Sequence, residues 1–341
     1  MVQNLTAVFL GCRTELDLSI AYRLLNVTDS GAHLTFVLLS ETKEDGQEMR
    51  KLIDEYNDKL EKPRSIVTDI ITINLSDMHN VYEVSHQLNK KCEVINYLFI
   101  NVTSGYLDNI DWLRLLRGLT TKGFKTLKDP SLQAQKLGVT SKDGMGFVFQ
   151  TSVFAPYYLM KKLLGPLSKE NGVVVWVSSL KADEIYVPVD DLELYETNTP
   201  TDDSRRLIDL LHLASYKDLK IKGVYQYFVH PGVFINQPIC NKIGVILYYL
   251  LFLIFYLSRF LGSYWHTIDP YKAANSAIYV TLFKDRDFER QDLKYGSATY
   301  SDGYEHVIPE EVDDVEKYDV YNYVKKKEDV WDRKLGLVGK K

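Results

Sequence analysis

The sequence predicts an α/β protein built on a Rossmann-type, doubly wound parallel sheet. Short apolar runs alternate with helical stretches along residues 1–230, which is the pattern of repeated β–α–β units. The runs are continuously apolar, as in strands that helices cover on both faces. The first run ends in Gly11, where a turn would lead into the first helix. Together these observations predict a parallel sheet with helices on both sides.

The individual elements follow from the same pattern. Strands are predicted at residues 5–10, 34–39, 66–75, 95–101, 172–179 and 223–230. Helices are predicted at residues 18–25, from about 50 to 60, up to about 89, and at 146–164 and 204–220. Residues 111–142 are polar and irregular, and we interpret them as an insertion. The Rossmann-like core therefore spans residues 1–240.

A second feature is the uncharged apolar run at residues 243–257, within a segment spanning 241–265. Its 15 residues fall short of the roughly 20 that cross a bilayer as a helix. Apolar residues surround this helix on every side, so it needs an apolar environment all round. It is either a buried core helix or a monotopic, membrane-facing helix. Tyrosine and tryptophan suit a membrane interface, and they occur in and after the run at Tyr248, Tyr249, Tyr256, Tyr264 and Trp265.

The remaining residues, 266–341, are expected to complete the fold and then continue as a charged tail. Residues 269–281 read as a helix. Residues 315–335 are mixed and charged, and predict a helical C-terminal tail with a solvated face.

Composition narrows the classes of function. A chain of 341 residues with 45% hydrophobic content can bury a large core. A net charge of −5 without a basic stripe argues against nucleic acid as a partner. The three cysteines, Cys12, Cys92 and Cys240, are widely separated, which predicts no disulfide framework, no metal site and a reducing, cytosol-facing location. The 12% aromatic content fits a heavy core and a membrane-contacting surface equally well.

The order of several short motifs is that of the short-chain dehydrogenases/reductases: Gly11, the segment 101–105, the pair Ser178–Ser179, and Pro231–Gly232. Longer segments resemble the fungal 3-keto-sterol reductases of ergosterol synthesis. They are LIDLLHLASYKDLK at 207–220, FLGSYWHTIDPYKAAN at 260–275 and DLKYGSAT at 292–299, with a smaller contribution from INYLFIN at 95–101. The resemblance covers nearly the whole chain.

This resemblance implies a fold and a pathway. It implies a Rossmann-type site for NADPH and reduction of the 3-keto group of a C4-demethylated sterol. The setting would be the cytosolic face of the endoplasmic reticulum or of lipid droplets, beside the other C4-demethylation enzymes. The resemblance also implies a possible homodimer that pairs through the two long helices.

The phosphate-binding loop departs from the family pattern TGxxxGxG. Gly11 stands at the first glycine position, whereas Glu15 and Asp17 stand at the second and third. A carboxylate about 4 Å from a phosphate is repelled by about 4 kcal/mol at an effective dielectric constant near 20. Arg13 would offset part of this repulsion. We therefore predict impaired cofactor binding.

The other cofactor positions are a mixture of retained and replaced residues. Glu41 follows the second strand, where a 2′-phosphate needs a basic residue and where an acid suits NAD. Asn74 replaces an Asp, and Ile235 replaces a Thr that would bind the nicotinamide amide. The retained residues are Asn101, Gly105, Pro231 and Gly232.

A larger share of the family's catalytic residues than of its cofactor-binding residues is replaced in this sequence. Ser179 is retained, but Ser152 stands at the Asn position, Thr201 at the Tyr position and Arg205 at the Lys position. A threonine hydroxyl is too short and too weak an acid to protonate a ketone, and losing a positioned acid costs roughly 10²- to 10⁴-fold in rate. Arginine keeps the charge of lysine but not its shape.

Two other tyrosines are alternative proton donors. Tyr216 and Lys220 have a YxxxK spacing but lie about four helical turns beyond the motif position. Tyr195 precedes Thr201 by six residues and would have to swing in from a loop.

Three hypotheses follow. The first is a pseudoenzyme, a membrane-associated partner or regulator that binds sterol C4-demethylation enzymes or a sterol. The second is a functional NADPH-dependent 3-keto-sterol reductase, for which Ser179 is the best support. The third is a protein that binds or reduces another apolar ketone or lipid with NAD, for which Glu41 is the only hint.

Overall fold

The sheet at the centre of the molecule has eight strands, in the order β12-β11-β8-β7-β4-β1-β2-β3. In this computed structural model, residues 4–12, 14–102, 107–110, 133–135, 138–185, 187–234, 245–283, 286 and 289–337 are described. All neighbouring strands of the sheet are parallel except the edge pair β11 and β12. The predicted Rossmann-type parallel sheet is therefore confirmed.

The strands have the following bounds: β1 Asn4–Leu10, β2 His33–Ser40, β3 Ser65–Thr72, β4 Tyr97–Ile100, β5 Leu107–Ile110, β6 Gln133–Gln135, β7 Val173–Val177, β8 Tyr225–His230, β9 Val233–Phe234, β10 His266–Ile268, β11 Lys294–Thr299 and β12 Glu305–Glu310. Strands β5 and β6 form a small antiparallel pair, and β9 and β10 a small parallel pair.

The helices have the following bounds: α1 Glu15–Val27, α2 Lys43–Asp58, α3 Met78–Lys91, α4 Phe147–Phe149, α5 Ala155–Lys162, α6 Leu164–Ser168, α7 Pro200–Ile221, α8 Val245–Phe260, α9 Pro270–Ala273, α10 Asn275–Thr281 and α11 Lys317–Lys334. A π-helical turn, Gln150–Phe154, lies between α4 and α5, so the long helix predicted at 146–164 is not regular. The helix predicted at 269–281 is likewise divided into α9 and α10.

Two apolar layers cover the two faces of the sheet. Side chains alternate between the faces of a strand, and β1 shows this directly. Val8 and Leu10 pack with α3, α5 and α7, whereas Ala7 and Phe9 pack with α1, α2 and α10. Burial on both faces explains why the predicted strands have continuously apolar sequences.

The charged segment near residue 320 does form a helix, α11, but it is solvated on one side only. Its other side buries Val320, Val324 and Trp331 in the same core layer as α5 and α7. Asp332 also accepts hydrogen bonds from the Tyr158 hydroxyl and from Lys162 Nζ, at 2.6 and 2.7 Å. Thus α11 covers the two long helices of the core.

The apolar helix α8 is not a buried core helix. Tyr249, Leu253, Tyr256 and Phe260 lie along one side and are 57–80% exposed. None of the helices in the described part of the chain is long and apolar enough to cross a membrane. The far end of α8 is fixed by Arg259, which donates hydrogen bonds to the carbonyl oxygens of His266 and Thr267 in β10.

A buried histidine makes the stability depend on pH. His212 Nε2 lies 2.6 Å from the carbonyl oxygen of Gln291, and its Nδ1 lies 2.8 Å from the side-chain nitrogen of Gln226. Burial lowers the pKa of His212 from 6.5 to about 3. Because this depressed pKa keeps the folded imidazole neutral while the unfolded chain binds a proton, the free energy of unfolding falls as pH drops from about 6.5 to 3.

We expect His212 to remove about 2 kcal/mol of stability between pH 7 and pH 5. Urea denaturation at the two pH values would measure this, and His212→Gln should show a correspondingly smaller decline. His86→Gln, an exposed position on α3, is the control and should decline like the wild type. An equal decline in His212→Gln and wild type would contradict the assignment.

Candidate functional site

The candidate site is the crevice at the carboxyl ends of β1, β4 and β7. Strand order reverses between β1 and β4, and ligands of open α/β sheets bind at such a switch point. Gly11 follows β1, Asn101 and Val102 follow β4, and Ser178 and Ser179 follow β7. The fold therefore brings the retained motif residues that the structure describes to the carboxyl ends of the strands.

Gly11 is required by the close approach of the turn after β1 to the backbone that follows β4. Its φ is +136°, a conformation open mainly to glycine. A Cβ atom at this position would lie 2.1 Å from the carbonyl oxygen of Asn101. The amide of Gly11 donates to the carbonyl oxygen of Leu39 at 3.2 Å, which ties the turn to β2 as well.

The carboxylate of Asp17 lies at the amino end of α1, beside Asn101. It accepts hydrogen bonds from the Thr14 amide at 3.1 Å, from the Thr14 hydroxyl at 2.7 Å and from the Asn101 side-chain amide at 2.9 Å. The Asp17 amide in turn donates to the Thr14 hydroxyl at 3.3 Å. Asp17 is only 1% exposed, so its carboxyl group is enclosed at this point.

These residues do not fit a dinucleotide in the usual way. A pyrophosphate at a Rossmann switch point is held by free backbone N–H groups at the amino end of the first helix. Here the amides of Thr14 and Asp17 are used within the chain, and the carboxyl group of Asp17 already lies beside them. Glu15 begins α1 and adds a second acidic residue to the same turn. Arg13, Gly105 and Ile235 lie outside the described residues.

Arg205, at the predicted lysine position, is buried and hydrogen-bonded to backbone carbonyl groups that border the crevice. Its guanidinium donates to the carbonyl oxygen of Val177, at the end of β7, and to that of Val102, after β4, at 3.0 Å. The side chain is 8% exposed, and burial lowers the pKa of its guanidinium. Arg205 therefore links the ends of two strands across the crevice.

Thr201, at the predicted tyrosine position, lies in the first turn of α7 and is half-buried. Its carbonyl oxygen accepts from the Ser204 hydroxyl at 2.6 Å. The adjacent Asp202, which the sequence did not single out, has a raised pKa because of burial and, secondly, because of the neighbouring Asp203. The first turn of α7 thus carries two acidic residues, Asp202 and Asp203, directly after Thr201.

Ser179 is half-buried and lies two residues beyond the end of β7, whereas the sequence predicted it as the last residue of that strand. Its hydroxyl accepts from the Lys181 amide at 3.4 Å. Its carbonyl oxygen accepts from Lys294 Nζ at 2.9 Å, and Lys294 also forms an ion pair with Asp209 at 2.5 Å. Both side chains are almost fully enclosed, at 2% and 0% exposure. Burial raises the pKa of Asp209, and Lys294 acts in the opposite direction.

Sequence reasoning missed the Lys294–Asp209 pair. The two residues are 85 positions apart, and nothing local to either of them signals the other. Lys294 begins a strand that the sequence pattern did not predict, although the segment 292–299 was noted for its resemblance to the family. The only available signal was a lysine beside a run of strand-forming residues.

The remaining predicted residues are placed as follows. Ser152 is buried within the π-helical turn. Gly232 follows β8 with φ +68°, and a Cβ there would lie 2.5 Å from the carbonyl oxygen of Trp265; Pro231 precedes it. Glu41 is exposed directly after β2, and Asn74 accepts from the Ser76 amide and hydroxyl in a tight turn.

The alternative tyrosines do not reach Ser179. Lys220 lies over the ring of Tyr225, the first residue of β8, which is at the opposite edge of the sheet from Ser179. Tyr216 stacks on His212 one turn earlier in α7. The hydroxyl of Tyr195 donates instead to the carbonyl oxygen of Gly144 at 3.5 Å. Within the described residues, no group of three or more His, Cys, Asp or Glu is arranged to hold a metal ion.

Curated relatives match almost the full chain. It is 39% identical to the 3-keto-steroid reductase of Saccharomyces cerevisiae over 331 residues, which cover 96% of this chain and 95% of the relative. The 3-keto-steroid reductase of Candida glabrata is also 39% identical, over 96% of this chain and 94% of its own length. That of Candida albicans is 34% identical, over 96% and 94%. No family model matches the chain.

Solved structures with the same fold are short-chain dehydrogenases/reductases of low sequence identity. A short-chain oxidoreductase of Pseudomonas aeruginosa with an atypical catalytic center superimposes with a TM-score of 0.54 and 13% identity, covering 81% of this chain and 90% of that one. A short-chain type dehydrogenase/reductase of Mycobacterium ulcerans also gives 0.54, at 10% identity, covering 84% and 86%. A variant of actinorhodin polyketide ketoreductase with NADPH gives 0.52 at 14% identity, covering 82% and 92%.

Proposed function

This chain belongs to the 3-keto-steroid reductase family, and we propose that it is a member that has lost hydride transfer. In this proposal it acts as a non-catalytic partner or regulator of the enzymes that demethylate sterols at C4. The observation that carries the proposal is the placement of Arg205. Its buried guanidinium is engaged by two backbone carbonyl oxygens, those of Val177 and Val102.

The missing acid supports the same conclusion. Reduction of a ketone needs a proton donor at the carbonyl oxygen as hydride arrives. Thr201 stands where that donor is expected, and the alternative tyrosines are directed elsewhere, Tyr195 towards Gly144 and Tyr216 onto His212. Ser179 is retained after β7, but a serine hydroxyl by itself is too weak an acid to protonate a ketone.

We expect purified protein to show no oxidation of NADPH above background with a 3-keto sterol as substrate. A catalytic 3-keto-steroid reductase assayed in parallel is the positive control, and Ser179→Ala is the matched variant. Wild type and Ser179→Ala should give the same background rate. NADPH oxidation that depends on the sterol and disappears in Ser179→Ala would refute the proposal.

That refuting outcome is also what the second candidate function predicts. A functional NADPH-dependent 3-keto-steroid reductase is favoured by one observation, the half-buried Ser179 at the carboxyl end of β7. In this alternative, Asp202, whose pKa is raised, is the titratable group nearest in sequence to the missing acid. An Asp202→Asn variant that lost such a rate would identify it as the donor.

We also propose that the protein works on the cytosolic face of the endoplasmic reticulum or of lipid droplets. The support is the exposed apolar side of α8, formed by Tyr249, Leu253, Tyr256 and Phe260. Arg259 fixes the end of α8 to β10, and β10 pairs with β9, which follows Gly232. Because Gly232 comes after the carboxyl end of β8, α8 is attached on the side of the sheet where the crevice lies. A sterol held near the crevice would then reach it from the lipid without crossing water.

Sibling enzymes of sterol demethylation are the proposed protein partners. The homodimer that the family resemblance implies through the two long helices is not part of this proposal. Helix α11 of the same chain packs on those helices, with Trp331 buried and Asp332 bonded to Tyr158 and Lys162.

A further inference from the structure

We infer that the carboxylate of Asp17 is a built-in anion that takes the place of a dinucleotide pyrophosphate at the amino end of α1. This inference rests on the proposed function, because a self-occupied phosphate site is of use only to a chain that has stopped binding the cofactor. In a working reductase, the pyrophosphate of the bound cofactor would occupy the amino end of this helix. In this chain, the carboxylate of Asp17 occupies it.

The first argument is the set of donors. An anion at a Rossmann switch point is held by N–H groups at the start of the first helix and by the polar residues at the ends of the neighbouring strands. Asp17 collects donors of both kinds. Its Oδ2 accepts from the Thr14 amide and hydroxyl, and its Oδ1 accepts from the side chain of Asn101 after β4.

The second argument is that an ordinary helix cap does not explain the whole arrangement. Reciprocal bonds between Thr14 and Asp17 form a capping box, which many solvent-exposed helices have. Asn101 is not part of a capping box. Its side-chain nitrogen bonds both Thr14 Oγ1, at 3.0 Å, and Asp17 Oδ1, and it thereby ties α1 to the end of β4.

The third argument is charge. The amino end of a helix carries roughly half a positive elementary charge, which favours an anion. Asp17 supplies that anion from within, at 1% exposure. A second anion at the same place would be repelled by the Asp17 carboxylate, to which the Thr14 amide and the Asn101 side-chain amide already donate. The chain therefore gains from its own carboxylate the stabilisation that other Rossmann proteins gain when the cofactor binds.

The test compares Asp17→Asn and Asp17→Gly with wild type by thermal unfolding, with and without 5 mM inorganic pyrophosphate. Asp29→Asn, an exposed aspartate just after α1, is the matched control. Both Asp17 variants should lose on the order of 5 °C in Tm, because buried bonds to a charged group are lost, whereas the control should shift by less than about 1 °C. If Asp17→Gly fails to fold, Asp17→Asn carries the test.

Pyrophosphate distinguishes a replaced ligand from a simple structural bond. Wild type should not be stabilised by it, whereas the Asp17 variants should recover about 2 °C through binding at the vacated position. Unchanged stability of the variants, or equal stabilisation of wild type and variants by pyrophosphate, would overturn the inference. NADPH oxidation by the wild type would instead refute the proposed function, so the two failures are separable.

Discussion

Replacing Lys294 with methionine is expected to lower the free energy of unfolding by about 3–5 kcal/mol, because it leaves the Asp209 carboxylate buried without its partner. Asp209 has no exposed surface and its Oδ2 lies 2.5 Å from Lys294 Nζ. The substitution also removes the donor to the carbonyl oxygen of Ser179. Chemical denaturation measures the change.

A double substitution separates the destabilisation caused by an unpaired buried charge from the net contribution of the ion pair to the free energy of unfolding. Lys294→Met combined with Asp209→Leu should recover most of the lost stability, since an apolar pair of similar volume is often neutral or stabilising. Lys169→Met is the exposed control; Lys169 pairs with Glu93 on the surface, and its loss should cost less than about 1 kcal/mol. Equal costs for Lys294→Met and Lys169→Met would show that Lys294 does not neutralise a buried charge.

The triple substitution Leu253→Ser, Tyr256→Ser and Phe260→Ser is expected to weaken binding to lipid vesicles by about 100-fold or more. Each of these side chains would bury apolar area in the interface, at about 25 cal/mol per Å². All three lie on the exposed side of α8. Flotation with vesicles of phosphatidylcholine and phosphatidylserine measures the bound fraction.

The control for this experiment is Ile221→Ser. Ile221 is 85% exposed but ends α7, at the sheet edge opposite the crevice, so its loss should leave vesicle binding unchanged. Circular dichroism should show the wild-type helix content in both proteins. Wild-type protein that stays unbound, or a triple variant that binds equally well, would remove the support for a membrane-facing α8.

The local pattern of apolar residues was sufficient to predict the strands that are buried on both faces of the sheet. Strands β1, β2, β7 and β8 are mostly apolar, and helices separate β1 from β2 and β7 from β8 along the chain. Strands β11 and β12 were not predicted. Lys294 breaks the apolar pattern of β11, although burial against Asp209 makes it an interior residue. Strand β12 lies at the sheet edge and is only partly buried, so its sequence is mixed.

At the candidate site, the sequence pattern predicted the positions of residues but not the contacts of their side chains. The family motif predicted which residues stand at the catalytic positions, and the structure brings Ser179, Thr201 and Arg205 to the same end of the sheet. It did not predict where their side chains point. Arg205 bonds Val102, which is 103 positions away, and Asp17 bonds Asn101, which is 84 positions away. Such pairings depend on the assembled sheet and leave no periodic trace in the sequence.

The turn after β1 bears on how glycine signatures are interpreted in related chains. The carbonyl group of Asn101 leaves no room for any side chain at position 11, whatever does or does not bind nearby. Selection against a larger residue at this position would therefore continue even after the protein had lost nucleotide binding. A glycine at this position is therefore explained by the close approach of the two strand ends, and its presence alone does not indicate an active oxidoreductase.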